Sequence, residues 1–362
     1  MRIGIVAHLK HAIREPFAGG LEMHTSMLQS ALQHRGHDVT VFASSRSEPE
    51  ASVEAICDET SLTEIGCDEA PDKVFFQEHH AYLSLMNGLR HRAFDLIHNN
   101  SLHYLPVAMA DALPMPMVTT LHTPPFAWLE SGVRLCKAPH ATFVAVSESI
   151  RRTWSRVAPI DHVIMNGIDL NRFSFRAHAA VPPYWVWYGR IVPEKGLDHA
   201  IAAADLAGAT LLIAGPISDQ DYFDRQIAPN LDERVRYLGH LPHSELAGVI
   251  GGARTFLCTP CWEEPYGLVV AEALACGVPV AAFARGAIPE LLDAATGVLA
   301  TPDDPVSLAK AALAAQQLDR QACRESAARR CDASRMIDEY EALYVDLIER
   351  ASARDPETKF AA

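Results

Sequence analysis

The 362-residue sequence lacks several features that define common protein classes. It has no apolar run that approaches the ~20 residues of a membrane-spanning helix. Its first residues form a short strand pattern without the apolar core and cleavage site of a signal peptide. An excess of positive charge is also missing, because the formal net charge is -14, which argues against a general nucleic-acid binder. We therefore expect a cytoplasmic protein that does not bind nucleic acid.

Cysteine and histidine patterns typical of structural metal sites are absent as well. The eight cysteines are scattered, and Cys258 and Cys261 form the one close pair. A zinc site requires two further ligands at matching spacing, and Cys276 has no such neighbour. The histidines, among them His79, His98 and His103, form no suitable ligand set. We therefore expect no metal site, and free thiols in a reducing compartment.

Strand and helix patterns alternate from the first residue onward. This alternation predicts an α/β fold in which helices cover parallel sheets, and a chain of this length suits two domains. The turn signal at Asn166-Gly167 marks the boundary. We predict an N-terminal domain over 1–165, a C-terminal domain over 166–333, and a terminal helix with a tail over 334–362. Residues 44–72 are polar and are predicted to form a loop-rich insertion.

The first strand is not followed by Gly-x-Gly-x-x-Gly, which argues against a dinucleotide-dependent dehydrogenase. The most informative segment is 264–274, where Glu264 and Glu272 flank a proline turn, a glycine and an apolar run. Pro265 places Glu264 on an extended loop, and Gly267 begins a helix whose first N–H groups suit phosphate oxygens. A sugar joined through a diphosphate to a nucleoside matches this layout. An ordinary helix with acidic residues near its start is the alternative.

A second segment, 187–196, places two cations on one strand-to-helix loop. The apolar run that ends at Tyr188 predicts a buried strand, and helical spacing resumes after Lys195. The planar guanidinium of Arg190 can donate two parallel hydrogen bonds, and the ammonium of Lys195 is a compact positive charge. Both groups suit a diphosphate. The alternative is a pair of surface cations, one of which pairs with Glu194.

Together the two segments resemble the retaining GT-B glycosyltransferases of family GT4, which share Gly-Arg-x-x-x-x-Lys-Gly followed by Glu-x7-Glu. The resemblance covers about residues 1–350, because further pieces occur in the family's order: Gly19-Gly20, His122 at a strand end, Ser147, Asn166, Gly215 and Gly239. It implies two Rossmann-like domains whose parallel sheets face each other across a cleft. The N-terminal domain is then the acceptor side and the C-terminal domain the nucleotide-sugar side, with the terminal helix crossing back to the N-terminal domain.

The resemblance also implies roles for single residues. Glu264 contacts the hydroxyls of the donor sugar, and Glu272 holds the ribose hydroxyls. Arg190 and Lys195 neutralise the leaving diphosphate, while His122 lies beside the donor sugar or the leaving phosphate. The remaining positions bind through their backbone or allow close approach of the ligand: Gly19, Gly20, Gly267, Leu268 and Val269.

The predicted activity is the transfer of a hexose-type sugar from a UDP- or GDP-linked donor to an acceptor hydroxyl, with retention and without a metal or a tightly bound cofactor. The sequence leaves three classes of acceptor open: a saccharide, a lipid or a small molecule. A nucleotide-sugar epimerase or phosphorylase of the same fold, and a non-catalytic nucleotide-sugar-binding protein, are the alternatives. Peripheral membrane contact stays open too, because five cations form either a surface for anionic lipid or a solvated face: Arg134, Lys137, Arg151, Arg152 and Arg156.

Overall fold

The structure, a computed structural model, describes residues 1–15, 17, 19–47, 52–57 and 72–354. The chain divides into two compact units. The N-terminal unit consists of Met1–Val146, Ile150–Ile164 and the chain from Met336 onward. The C-terminal unit consists of Ser147–Ser149 and Met165–Arg335. Each unit is built on a parallel sheet with helices, so the predicted α/β class with two Rossmann-like sheets is confirmed.

The described part of the N-terminal unit contains a seven-stranded parallel sheet in the order β3-β2-β1-β4-β5-β6-β7. Its central strands are buried along almost their whole length, as expected where helices cover both faces. The strands are β1 Arg2–Val6, β2 Asp38–Ser44, β3 Val53–Cys57, β4 Leu96–Asn99, β5 Met117–Leu121, β6 Ala141–Ala145 and β7 His162–Val163. The helices are Gly20–His34, Lys73–Leu89, Tyr104–Ala108, Ala127–Leu135 and, starting in the other unit, Glu148–Trp154 and Ala333–Arg354.

One of these strands lies where the sequence predicts a loop-rich insertion. β3 pairs in parallel with β2, with Val53 opposite Val41, so the prediction for 44–72 is wrong at this strand. The strand has five residues, includes Glu54, and forms the edge of the sheet. Short charged edge strands carry little hydrophobic periodicity, which explains the error. Residues 48–51 and 58–71 of the predicted insertion lie outside the described residues.

The terminal helix Ala333–Arg354 packs in the N-terminal unit from Met336 onward. Its apolar stripe joins the core of the first sheet, and Tyr340 and Tyr344 are fully buried there. Their hydroxyls are satisfied, since Tyr340 bonds Thr120 at 3.0 Å and Tyr344 bonds the imidazole of His98. His98 is therefore a structural histidine. Although this helix has 22 residues, no helix in the described ranges is both long and apolar enough to cross a membrane.

The C-terminal unit contains a six-stranded parallel sheet in the order β10-β9-β8-β11-β12-β13. Its core is packed around Trp185, Trp187, Leu257 and Phe283. The strands are β8 Trp185–Tyr188, β9 Leu211–Ala214, β10 Val235–Tyr237, β11 Thr255–Cys258, β12 Val280–Phe283 and β13 Gly297–Ala300. The helices are Leu197–Ala207, Gln220–Tyr222 with the π-helical turn Phe223–Ile227, His243–Gly252, Leu268–Ala275, Ile288–Leu291, Pro305–Ala315 and Arg320–Arg330. Single 3₁₀ turns occur at Ala110–Ala112, Leu170–Arg172, Pro193–Lys195 and Ala228–Asn230.

In both sheets the strand order reverses beside one central strand. β1 lies between β2 and β4, and β8 lies between β9 and β11. Ligands of open parallel sheets bind beyond the carboxyl ends of the strands at such a point. A ligand site in the C-terminal unit is therefore expected at the loops that follow β8 and β11.

Candidate functional site

Two hydrogen bonds to backbone carbonyls join the loops after β8 and β11. The N–H of Cys261 donates to the carbonyl of Glu194 at 2.8 Å, and the Thr259 hydroxyl donates to the carbonyl of Lys195 at 2.9 Å. Gly196 adopts a left-handed φ of 62°, and a Cβ there would lie 2.2 Å from the Thr259 carbonyl oxygen. Because a side chain cannot fit at this position, the two loops are held at a fixed distance.

This arrangement brings Lys195 and Glu264 into direct contact. The Lys195 ammonium donates to Glu264 Oε2 at 2.6 Å, and the indole N–H of Trp262 donates to the same oxygen at 3.0 Å. The Lys195 ammonium also lies 5.3 Å from the centre of the Trp262 ring. The two charged side chains are partly shielded, with 23% and 13% of their surfaces exposed. The sequence places both residues at the site but does not predict this pairing.

A third loop, after β12, forms hydrogen bonds with Glu263 and Glu264. The N–H of Ala287 donates to the Glu264 carbonyl at 2.8 Å, and the N–H of Gly286 donates to the Glu263 carboxylate at 3.0 Å. A Cβ on Gly286 would lie 2.3 Å from the backbone of Glu264, so the loops can approach only with glycine there. Sequence reasoning missed Gly286 and the contact of Trp262. The available signal was a glycine shortly after the apolar run of β12, whose last residue is Phe283.

Arg190 lies on the same loop as Lys195 but is more open to solvent. Its guanidinium is 4.0 Å from the carboxylate of Glu194, and its side chain is 43% exposed. An exposed ion pair of this length contributes little to stability, so the guanidinium can exchange its partner at low cost. The structure thus shows the pairing of Arg190 with Glu194 that the sequence offers as an alternative. This pairing leaves the Arg190 guanidinium accessible to an anion.

The helix Leu268–Ala275 begins as the sequence predicts. Gly267 precedes it with a φ of 98°, and no side chain caps its first turn. The first N–H groups of a helix have no partner within the helix, which leaves those near Leu268 and Val269 available to a phosphate. On the same helix, the carbonyl of Val269 accepts from the Tyr188 hydroxyl at 2.6 Å, which ties the helix to the end of β8.

Glu272 lies one turn further along this helix and is almost fully buried. Burial raises the pKa of its carboxyl from 4.5 to about 7, and Tyr188 and Arg172 offset only part of that shift. The same surroundings raise the pKa of Tyr188 well above its usual range, first through burial and then through Glu272. A buried carboxylate is poised to accept hydrogen bonds from a ligand.

This burial predicts a pH-dependent stability difference for Glu272→Gln. Because the folded-state pKa lies above the ordinary value, the carboxyl supports folding at low pH and loses that contribution as the pH rises from 4.5 through about 7. A neutral amide does not ionise. At pH 8 the free energy of unfolding of the variant should therefore exceed that of the parent protein by up to about 3 kcal/mol. The two should be nearly equal at pH 5.

Urea unfolding at the two pH values measures the effect, and Glu233→Gln, the same substitution at an exposed position, serves as the matched control. A stability gain that is the same at pH 5 and pH 8 would show that ionisation of Glu272 carries no cost.

The N-terminal unit positions His122 directly after β5. Its Nε2 lies 2.9 Å from Oδ1 of Asn100, which follows β4. Burial and the neighbouring His24 lower the pKa of His122 well below its usual range, so the ring is neutral near pH 7. Since the amide oxygen can only accept, Nε2 carries the proton and Nδ1 keeps a free lone pair. His122 can therefore accept a hydrogen bond from a hydroxyl.

Unpaired polar atoms surround this histidine. His24 meets its ring edge to face at 4.9 Å and is 1% exposed, yet neither of its ring nitrogens has a partner among the described residues. Burial lowers the pKa of His24 to about 4. The amide nitrogen of Asn100 and the hydroxyl of Thr123 also lack partners in the described part of the chain. Buried polar atoms of this kind normally bond ordered water or a ligand.

Gly19 and Gly20 stand at the start of the helix Gly20–His34 in the N-terminal unit. Gly19 has an extended backbone with φ −165° and ψ −179°, a conformation open to any residue. Its Cβ would approach Glu22 Oε2 at 3.1 Å. The structure thus places the pair at a helix N-terminus, and its proposed contact with a substrate stays a prediction.

The predicted site residues fall into two sets, one in each unit. The C-terminal unit brings together the loops of Arg190, Lys195 and Glu264, while the helix from Leu268 adds Glu272. Gly19, Gly20 and His122 belong to the N-terminal unit. Of the weaker candidates, Ser147 donates to the carbonyl of Pro265 at 2.7 Å, and Oδ1 of Asn166 is buried without a partner among the described residues.

One group of potential metal ligands comes together in the described part of the chain, and sequence reasoning missed it. Ligand atoms of His199, Cys261 and Asp303 all lie within 4.8 Å of one another. Arg285, however, donates to both carboxylate oxygens of Asp303 at 3.1 and 2.7 Å, and burial raises the pKa of the Cys261 thiol to about 11. A cation would have to displace the guanidinium and a thiol proton. Metal independence stays a prediction.

Comparisons with known proteins identify the family. The model described as Glycosyltransferase Family 4 matches residues 18–172, and the model described as Glycosyl transferases group 1 matches residues 182–317. A glycogen synthase of Mycobacterium tuberculosis is 29% identical over 338 residues, covering 81% of this chain and 81% of that protein. An alpha-maltose-1-phosphate synthase of Mycolicibacterium smegmatis is 29% identical over 201 residues, or 48% of this chain and 51% of that protein.

Solved structures agree on the fold. A sucrose-phosphate synthase from Thermosynechococcus elongatus has a TM-score of 0.80 and 20% identity, covering 97% of this chain and 100% of that one. Anabaena HepE in complex with UDP and glucose has a TM-score of 0.73 and 19% identity, covering 96% and 100%. The two family models together span most of both units. The chain belongs to glycosyltransferase family 4 and is a glycosyltransferase of the GT-B fold.

Proposed function

We propose that this protein transfers a hexose-type sugar from a nucleoside diphosphate sugar to an acceptor hydroxyl, with retention of the anomeric configuration. The observation that carries the proposal is the fixed group of Lys195, Glu264 and Trp262 at the carboxyl ends of β8 and β11. It presents a cation and a carboxylate side by side. A sugar and the phosphate attached to it need these two groups at neighbouring positions.

In this proposal each group of residues in the site contacts a different part of the donor. The Glu264 carboxylate accepts hydrogen bonds from sugar hydroxyls, and Lys195 and Arg190 neutralise the diphosphate as it leaves. Helix N–H groups near Gly267, Leu268 and Val269 contact the same phosphates. Glu272, buried one turn beyond, accepts from the adjacent ribose hydroxyls.

Retention is proposed to follow from attack on the same face that the phosphate leaves. Within the site described above, no side chain is assigned as a covalent nucleophile, because Glu264 is engaged by Lys195 and Trp262. The leaving phosphate oxygen instead helps to remove the proton of the acceptor hydroxyl. His122, neutral and with Nδ1 free to accept, orients a hydroxyl in the N-terminal unit.

The names of related proteins support a nucleotide-sugar donor. One solved structure similar in fold, Anabaena HepE, was determined in complex with UDP-glucose. A mannosyltransferase among the relatives is described as GDP-mannose-dependent and is 32% identical over 126 residues. Both bases thus occur among similar proteins, and we propose a UDP- or GDP-linked donor for this chain.

We expect turnover in the presence of a chelator. A thermal-shift screen of UDP- and GDP-sugars should identify the donor, because a ligand at a hundred times its Kd adds about 2.7 kcal/mol of stability. NMR of the product formed from that donor should show the donor's anomeric configuration. The rate should be unchanged in EDTA, since Arg190 and Lys195 supply the positive charge.

Four results would contradict the proposal. An inverted product excludes retention, and loss of activity in EDTA that added magnesium or manganese restores excludes metal independence. Release of an epimerised donor, or binding without hydrolysis or transfer, favours one of the alternatives.

A further inference from the structure

A cluster of aromatic side chains lies at one end of the first sheet and takes no part in the roles assigned above. We define it as the aromatic shelf: Phe75, His103, Tyr104 and Trp128. Trp128 stacks on Tyr104 with ring centres 5.7 Å apart and contacts Phe75 at 5.3 Å. His103 in turn stacks on Tyr104 at 4.7 Å. Three separate helices contribute to the shelf, so its rings are held in place by packing.

The shelf presents an open aromatic face. Trp128 is 58% exposed, whereas Trp154, Trp185 and Trp187 are at most 3% exposed. A large apolar ring that is both exposed and held by stacking does not contribute its free face to the core. Such a face suits a ligand with a flat, weakly polar side, and the C–H face of a pyranose ring is one.

His103 adds an unpaired hydrogen-bond donor to the shelf. Its Nδ1 accepts from the backbone N–H of Leu105 at 3.2 Å, so in the neutral ring the proton is on Nε2. That Nε2 has no partner among the described residues, although His103 is largely buried. An unsatisfied buried donor is unfavourable until an acceptor reaches it. A hydroxyl oxygen of a ligand on the shelf is such an acceptor.

The charged side chains around the shelf are of both signs, since Glu78 faces Lys10 and Lys73 lies on the same helix, so no excess of positive charge marks the shelf for an anionic ligand. Glu78 shares a helix face with Phe75, because it lies three residues further along the helix Lys73–Leu89. On the helix of Trp128, the carboxylate of Glu130 accepts from Arg134 at 2.6 Å, which engages the nearest cation of that helix. The surroundings therefore favour an uncharged molecule rich in hydroxyl groups over a phosphate or an anionic lipid headgroup.

The shelf also lies at the correct edge of the sheet for a substrate. His103 follows β4, and Trp128 follows β5 by seven residues, on the same connection that carries His122. The carboxyl ends of parallel strands share one edge, where ligands bind. We propose that the aromatic shelf binds the acceptor, and that the acceptor is an uncharged saccharide whose ring stacks on Trp128. This inference rests on the proposed function, because it names the acceptor of that reaction.

Three variants test the shelf: Trp128→Ala, Trp128→Phe and, as matched control, Leu135→Ala, which removes a 69% exposed side chain from the same helix. The probes are maltose and sucrose as neutral saccharides and glucose 6-phosphate as an anionic one. Trp128→Ala should raise KM for the neutral saccharide that serves as acceptor by about 10-fold, which corresponds to about 1.4 kcal/mol. Trp128→Phe, which keeps a stacking ring, should stay within about 3-fold of the parent protein.

Binding without turnover gives an independent readout. A neutral saccharide should quench or shift the fluorescence of the parent protein and of Leu135→Ala, and this signal should disappear in Trp128→Phe. Affinity for a nucleoside diphosphate should be equal in all four proteins. Saccharide binding without sugar transfer would refute the proposed function and leave the shelf assignment intact.

Other outcomes overturn the shelf. They are equal KM values for Trp128→Ala and Leu135→Ala, a preference for glucose 6-phosphate over both neutral saccharides, and no fluorescence response to either neutral saccharide. Loss of binding to anionic phosphatidylglycerol vesicles in both Trp128→Ala and Leu135→Ala, with saccharide binding unchanged, would assign the surface to a membrane instead.

Discussion

Replacing Lys195 with alanine is expected to slow sugar transfer by roughly 10²-fold or more, the scale of losing one donor that stabilises charge in a transition state. The ammonium lies 2.6 Å from Glu264 and is only partly exposed, so it acts in surroundings where water screens charge weakly. Its removal takes away the cation that meets the leaving phosphate. It also frees the Glu264 carboxylate from one of its two side-chain partners.

Arg190→Ala should have an effect of the same order for a different structural reason. The guanidinium is more exposed and holds Glu194 only at 4.0 Å, so the variant should keep the stability of the parent protein while losing turnover. Steady-state assays with saturating donor measure both variants. Lys310→Ala and Arg225→Ala, which remove exposed cations of the same unit, are the matched controls. Near-normal turnover in both active-site variants would end the assignment of the two cations to the diphosphate.

Most of the frame around these cations follows from the sequence. The apolar run that ends at Tyr188 predicts a buried strand, and it ends where the structure ends β8. Gly267 predicts the start of a helix, and the helix begins at Leu268. These features are local, because chain direction, turn chemistry and hydrophobic periodicity act within a few residues.

The contacts that complete the site were not predictable in this way. The pairing of Lys195 with Glu264 joins residues 69 positions apart, and it depends on which strands are neighbours in the sheet. The tight approach of Gly286 to the backbone of Glu264 depends on the same order. Strand β3 was missed because its short edge pattern is weak, and the unpaired nitrogens of His24 appear only once the fold buries the ring.

Glu264 and Glu272 allow the sharpest distinction, because we propose that they bind different parts of one donor. Glu264 precedes the helix and is held by Lys195 and Trp262, whereas Glu272 is buried one turn inside the helix beside Tyr188. Glu264→Gln should therefore slow transfer by roughly 10²-fold. Its affinity for the free nucleoside diphosphate should stay within about 3-fold of the parent protein, since that ligand carries no sugar to contact the carboxylate.

Glu272→Gln should show the opposite pattern. Loss of a charged hydrogen bond to the ribose should weaken the nucleoside diphosphate itself by about 1–3 kcal/mol. Calorimetry with that ligand measures both variants at pH 8, where the Glu272 carboxyl, whose pKa is raised to about 7, is ionised in the parent protein. Glu233→Gln, an exposed change of the same kind, should bind like the parent. If Glu264→Gln loses nucleotide affinity and Glu272→Gln keeps it, the donor lies in the site in the reverse direction, and the roles proposed for both carboxylates are wrong.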